Sequence, residues 1–88
     1  MSDPVAALAD RFKDRLTNDL LVVRAGPKAG VGFELVVHRL AGAAAMFGFL
    51  ELGELAGEVD VQIHEGRLQT ADVDALAAAL QAAVVRPV

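Results

Sequence analysis

Few side chains in this 88-residue sequence could carry covalent chemistry. There is no cysteine, so disulfides, thiolate nucleophiles and thiolate zinc sites are all excluded. The only serine is Ser2, beside the N-terminus and a poor place for a nucleophile that needs a dry pocket. What remains is two histidines, His38 and His64, among twelve carboxylates. An imidazole titrates near neutrality, so a neutral ring offers a lone pair to a proton, a metal or a phosphorus atom. Two histidines with carboxylates make a thin case for a metal centre, and none is expected. Gly26–Gly32 does not close with the Gly-Lys-Ser/Thr of a phosphate loop, and Leu35 stands where a dinucleotide fingerprint needs its third glycine. That stretch reads as an interhelical turn running into a loose first helical turn.

The elements that must position the histidines are helical. Seventeen alanines favour helix, and apolar residues recur every three or four positions in four segments. Asp3 is expected to cap the first helix, with Pro4 where its missing N–H costs nothing. Val5, Leu8, Phe12, Leu16, Leu20 and Val23 form its stripe, and Ala25-Gly26-Pro27 breaks it near Arg24. Phe33, Val36, Val37, Leu40, Ala44 and Phe47 form a second stripe that ends at Gly48. Leu52, Leu55, Ala56, Val59 and Ile63 form a third, with Glu51 and Glu54 matching the dipole at its start and Gly66 terminating it. Thr70 is the expected N-cap of a fourth helix whose inner positions are Val73, Leu76, Leu80 and Val84. Short turns between amphipathic helices predict an all-α, antiparallel, up-down-up-down four-helix bundle, one domain over residues 1–88.

Composition narrows the partners. The net charge is −4 and the pI near 4.9, which argues against binding nucleic acid or an anionic membrane through bulk electrostatics. Leu40–Leu50, an uncharged stretch that no other exceeds, is about half of the roughly 20 residues a membrane span needs. No basic region leads into an apolar run at the N-terminus, so a cytoplasmic protein is expected. The four phenylalanines read as core, and Arg11–Arg15 as a mixed solvated face.

His38 lies beside the apolar stripe of the second helix, with Ala41, Gly42 and Ala45 on the helical positions C-terminal to it. Glycine costs about 1 kcal/mol against alanine inside a helix, so Gly42 has a reason to be bare. Either another helix approaches there, or the imidazole is left open to another protein.

The run His38-Arg39-Leu40-Ala41-Gly42-Ala43-Ala44-Ala45-Met46-Phe47-Gly48-Phe49 resembles the motif of histidine-containing phosphotransfer (HPt) domains, His-x-Leu-Lys-Gly-small-small. The Phe47-Gly48-Phe49 corner is similar to that of the phosphotransfer domain opening chemotaxis histidine kinases. The detailed resemblance covers about residues 33–63. It implies a monomeric phosphocarrier with no kinase activity of its own, relaying a phosphoryl group through His38 between the receiver domains of a hybrid histidine kinase and a response regulator. Mg²⁺ would come from the receiver, and the carrier would need no cofactor.

The resemblance also implies an acceptor for the second ring nitrogen, about 22 positions on, which is Asp60. Gly53, Gly57, Asp60 and His64 share one stripe of the third helix. Paired as in the family, the two glycines and Ala41, Gly42 and Ala45 would form a flat docking surface. Equally, Gly53 and Gly57 could simply let helices approach, leaving Asp60 a solvated carboxylate. The family's lysine three residues after the histidine is Ala41 here. Arg39 is a candidate replacement for phosphoryl stabilisation, although it projects about 100° away around the helix. His64 reads as a favourable charge at a helix C-terminus. The missing lysine keeps open a non-transferring adaptor that docks receivers, and beyond that a structural helical module with an incidental histidine.

Overall fold

A computed structural model describes residues 4–86. Four helices follow one another: α1 (Pro4–Ala25), α2 (Val31–Ala43), α3 (Leu50–Glu65) and α4 (Thr70–Val85). Each packs on its neighbours in sequence and α1 closes the ring against α4, so the short connections run the helices up and down around one core. Asp3 and the side chain of Val5 lie outside what is described.

The expected stripes build that core. Leu16, Leu20 and Val23 from α1 meet Phe33, Val37 and Leu40 from α2, Leu52, Ala56 and Val59 from α3, and Leu76 and Leu80 from α4. Full burial of one such aliphatic side chain contributes about 1.5–3 kcal/mol. Leu8, expected in the α1 stripe, is instead half exposed. Phe12 stacks on Phe47 at the C-terminal end of α2, and Lys13 bonds the Arg86 carbonyl at the end of α4. Among the described residues, α1 before Phe12 extends beyond these two contacts, which leaves Leu8 at the surface.

The helix ends explain two further departures. α2 was expected to reach Gly48 but stops at Ala43, and Ala45–Phe47 tighten into a single 3-10 turn. Gly48 then takes a left-handed conformation, φ 87°, open to glycine with little penalty. This turn brings Phe47 and Phe49 to 4.9 and 5.7 Å from the Phe12 ring. Arg86 braces the corner from α4, lying 4.7 Å over Phe49 and donating to the Gly48 carbonyl at 2.8 Å. At α4 the cap is Gln69 rather than Thr70: a reciprocal box forms in which the Gln69 N–H donates to Asp72 and the Gln69 side chain accepts from the Asp72 N–H. Gly66 ends α3 in the left-handed region, as expected. Among the described residues, no helix is long and apolar enough to cross a membrane.

Candidate functional site

His38 sits near the middle of α2, and the pairing of α2 with α3 decides what it meets. Its side chain is 76% exposed, and Nδ1 lies 3.2 Å from Oδ2 of Asp60 on α3. A carboxylate only accepts, so Nδ1 carries the proton and donates it to Asp60. In the neutral ring the lone pair then sits on Nε2, the nitrogen away from the carboxylate. Asp60 is itself largely covered, with 21% of its side chain exposed. The open imidazole is thus paired with a partly buried carboxylate that favours one tautomer.

Asp60 also faces the second histidine. His64 lies one helical turn further along α3, with Nδ1 2.8 Å from the Asp60 carbonyl oxygen and 3.6 Å from Asp60 Oδ1. The hydrogen bond to that carbonyl, the Asp60 carboxylate and then Glu34 from α2 together hold the His64 imidazole above its ordinary pKa. The sequence places His64 on the α3 stripe of Asp60 but gives it only a helix-end role, and the sharing of Asp60 by the two rings was missed. The spacing of four residues between Asp60 and His64 was the available signal.

Around the two rings the surface is bare and partly apolar. Gly42 and Ala45 are exposed, and among the described residues a Cβ at Gly42 or Gly57 would meet no group of a neighbouring helix within 4 Å. No neighbouring helix therefore requires Gly42 or Gly57 to be bare. Leu35, on the His38 face of α2, and Val61, beside Asp60, are 62% and 49% exposed. Ala41 is half-buried and packs partly against the core.

Two expected members stand elsewhere. Gly53 is buried at the seam between α3 and the end of α2, where a Cβ would lie 3.3 Å from the Ala45 nitrogen and 3.6 Å from the Ala44 Cβ. It allows close approach of backbones and does not line an open docking face. Arg39 points to the other side of α2, where Nη2 donates to Asp19 of α1. Asp19 is buried, so the guanidinium is committed as its counter-charge and is not at hand beside His38. Asp19, hidden among the polar positions of α1, was not singled out in the sequence. Among the described residues no group of three histidines, cysteines or carboxylates has the arrangement of a metal site.

A family model described as the Hpt domain matches residues 7–85. The chain belongs to the Hpt domain family. Comparison with curated proteins and with solved structures gives no significant match. The match spans all four helices, beyond the residues 33–63 on which the resemblance in sequence rested. Membership of the Hpt family places the chain in histidine phosphotransfer of two-component signalling, among phosphocarriers rather than kinases.

Proposed function

We propose that this Hpt protein carries a phosphoryl group between the aspartates of two receiver domains, through a phosphohistidine at His38. The observation that carries the reading is the exposed imidazole whose Nδ1 is bound to Asp60, leaving the lone pair on Nε2. Nε2 attacks the phosphorus of an aspartyl phosphate on the donor receiver. The N–P bond forms as the O–P bond breaks, and that electron pair returns to the receiver's carboxylate. The ring, still protonated at Nδ1, becomes cationic as the bond forms, and the Asp60 carboxylate balances that charge. Transfer to the second receiver is the reverse sequence. The chemistry asks mainly for in-line geometry and charge stabilisation, and the receiver supplies the Mg²⁺. Gly42, Ala45 and Gly57 give the receiver access to the ring, with Leu35 and Val61 as apolar contacts at its rim.

Ala41 supports a second reading, an adaptor that binds receivers without taking their phosphoryl group, because no cation stands three residues after the histidine. One experiment separates the two. The protein is incubated with phosphorylated receiver domains and Mg²⁺, and protein-bound label is scored for acid lability and base stability. Label on the wild type that vanishes in His38→Gln is the expected result. Binding without label would make the protein an adaptor. Label that persists in His38→Gln would move the acceptor to another residue.

A further inference from the structure

Phosphorylation at His38 adds net negative charge to a surface that already carries Asp60 on α3 and Glu34 on α2 and lacks the lysine of the family motif. The nearby basic groups on α2 and after α3 are engaged, Arg39 with Asp19 and Arg67 with Glu65. His64 faces Asp60 from the other side. Its Nδ1 lies 2.8 Å from the Asp60 carbonyl, which only accepts, so the proton of neutral His64 sits on Nδ1 and Nε2 is the nitrogen left to take a second one. The ring is 73% exposed, so that proton comes from solvent. Charging Nε2 leaves the bond from Nδ1 to the carbonyl intact.

We propose that His64 is the proton-dependent counter-charge of the phosphohistidine, a positioning residue that acts through Asp60 and takes up a proton as His38 is phosphorylated. The assignment rests on His38 as the phosphoacceptor. The groups that act on His64 are Asp60 on its own helix and Glu34 on α2, both acidic, and they already hold it above its ordinary value. Phosphorylation adds a dianionic phosphoryl group and a ring cation that Asp60 already balances, and the net negative charge left at His38 moves it further in the same direction. By linkage, whatever phosphorylation does to the proton affinity of His64, protonation of His64 does to the phosphoryl affinity of His38. The phosphohistidine is therefore favoured as pH falls through the titration of His64. The carrier would hold its cargo more tightly in acid and release it more readily in alkali.

The test is the equilibrium distribution of label between one receiver and this protein, from about pH 6 to about pH 8.5, in wild type, His64→Gln and His64→Arg. The receiver is common to all three, so its own pH dependence cancels. The phosphoryl on Nε2 lies across the His38 ring and Asp60 from His64, and unit charges roughly 10 Å apart near a protein surface interact by about one thermal energy, which sets the expected size. The phosphohistidine share of the wild type should rise about two- to threefold on acidification relative to His64→Gln. His64→Arg, charged throughout, should hold the acid value at both ends. In parallel, the NMR titration midpoint of His64 should move upward when His38 is phosphorylated. A midpoint identical in the two forms, or a pH dependence unchanged in His64→Gln, overturns the proposal while leaving His38 as acceptor. Absence of phosphohistidine at every pH overturns the phosphotransfer reading itself.

Discussion

His38 and Arg39 are consecutive on α2, and each meets an aspartate from a neighbouring helix. Arg39 turns inward to Asp19 on α1, while His38 turns outward to Asp60 on α3. The first pair is largely enclosed, with 34% of the arginine side chain and 6% of the aspartate side chain exposed. The second leaves its imidazole 76% exposed. The same motif, a basic group with a carboxylate across a helix seam, thus does two jobs. In the enclosed pair the carboxylate needs the cation, because a bare buried charge is expensive. In the open pair the carboxylate accepts from one ring nitrogen and leaves the lone pair of the neutral ring on the other, toward solvent.

The largest effect should separate the two partners of the inner pair. Arg39→Ala strands the buried Asp19 carboxylate and should cost about 2–3 kcal/mol, below the range for a fully enclosed pair because Arg39 is partly solvated. Asp19→Ala frees an arginine that can reach water and should cost about 1 kcal/mol. Urea denaturation of both variants measures the asymmetry. Equal costs would mean that burial is not what distinguishes the pair. In the folded fraction of Arg39→Ala, phosphoryl transfer should continue at the wild-type rate. A large loss of rate there would return Arg39 to the phosphoryl site.

The outer pair should answer in the opposite currency. Asp60→Ala releases the imidazole from its fixed orientation and tautomer, and should slow labelling from a phosphorylated receiver about 10- to 100-fold. Stability should change by about 0.5 kcal/mol or less, since the position faces solvent on one side. Asp60→Asn keeps an oxygen that accepts from Nδ1 but loses the charge opposite the developing ring cation. It should fall between wild type and alanine. If alanine and asparagine transferred as well as wild type, the open pair would be an incidental contact.

Much of this is legible in the amino-acid sequence, and particular residues show where legibility ends. The core stripe of α2 could be read because burial leaves a period of three to four residues in the sequence. The His38–Asp60 pairing was reachable because the resemblance supplied a distance along the chain that local periodicity lacks. Arg39 could be known to diverge from His38 by helix geometry, but its destination could not be known. That destination depends on Asp19, a single buried acid on a helix face otherwise rich in exposed charge. The early end of α2 was hidden for a related reason. Apolar residues continue through Phe47, so the resemblance gave the corner at Phe47–Phe49 but not the end of the helix at Ala43 or the packing of the corner on Phe12.

The glycines extend the contrast between enclosed and open surface to positions without a side chain, and give the smallest predicted effects. Gly53, Gly42 and Gly57 all sit within helices, where alanine is intrinsically better by about 0.8–1.0 kcal/mol. At Gly42 and Gly57 a Cβ meets no other atom within 4 Å, so Gly42→Ala and Gly57→Ala should each stabilise the fold by about 0.5–1 kcal/mol. At Gly53 the Cβ would press on the Ala45 backbone nitrogen at 3.3 Å, and backbone yields less readily than a side-chain tip. Crowding there should cancel the helical gain, leaving Gly53→Ala neutral or destabilised by about 1–2 kcal/mol. Thermal melts of the three variants decide the order. Stabilisation by all three would show that α3 can move away from α2 at that seam without loss. Glycines kept bare against a stability gradient on the open face are what a docking surface predicts. Gly42→Ala and Gly57→Ala, though more stable, should therefore bind a receiver more weakly than wild type, and equal binding would leave the open glycines without a role at the interface.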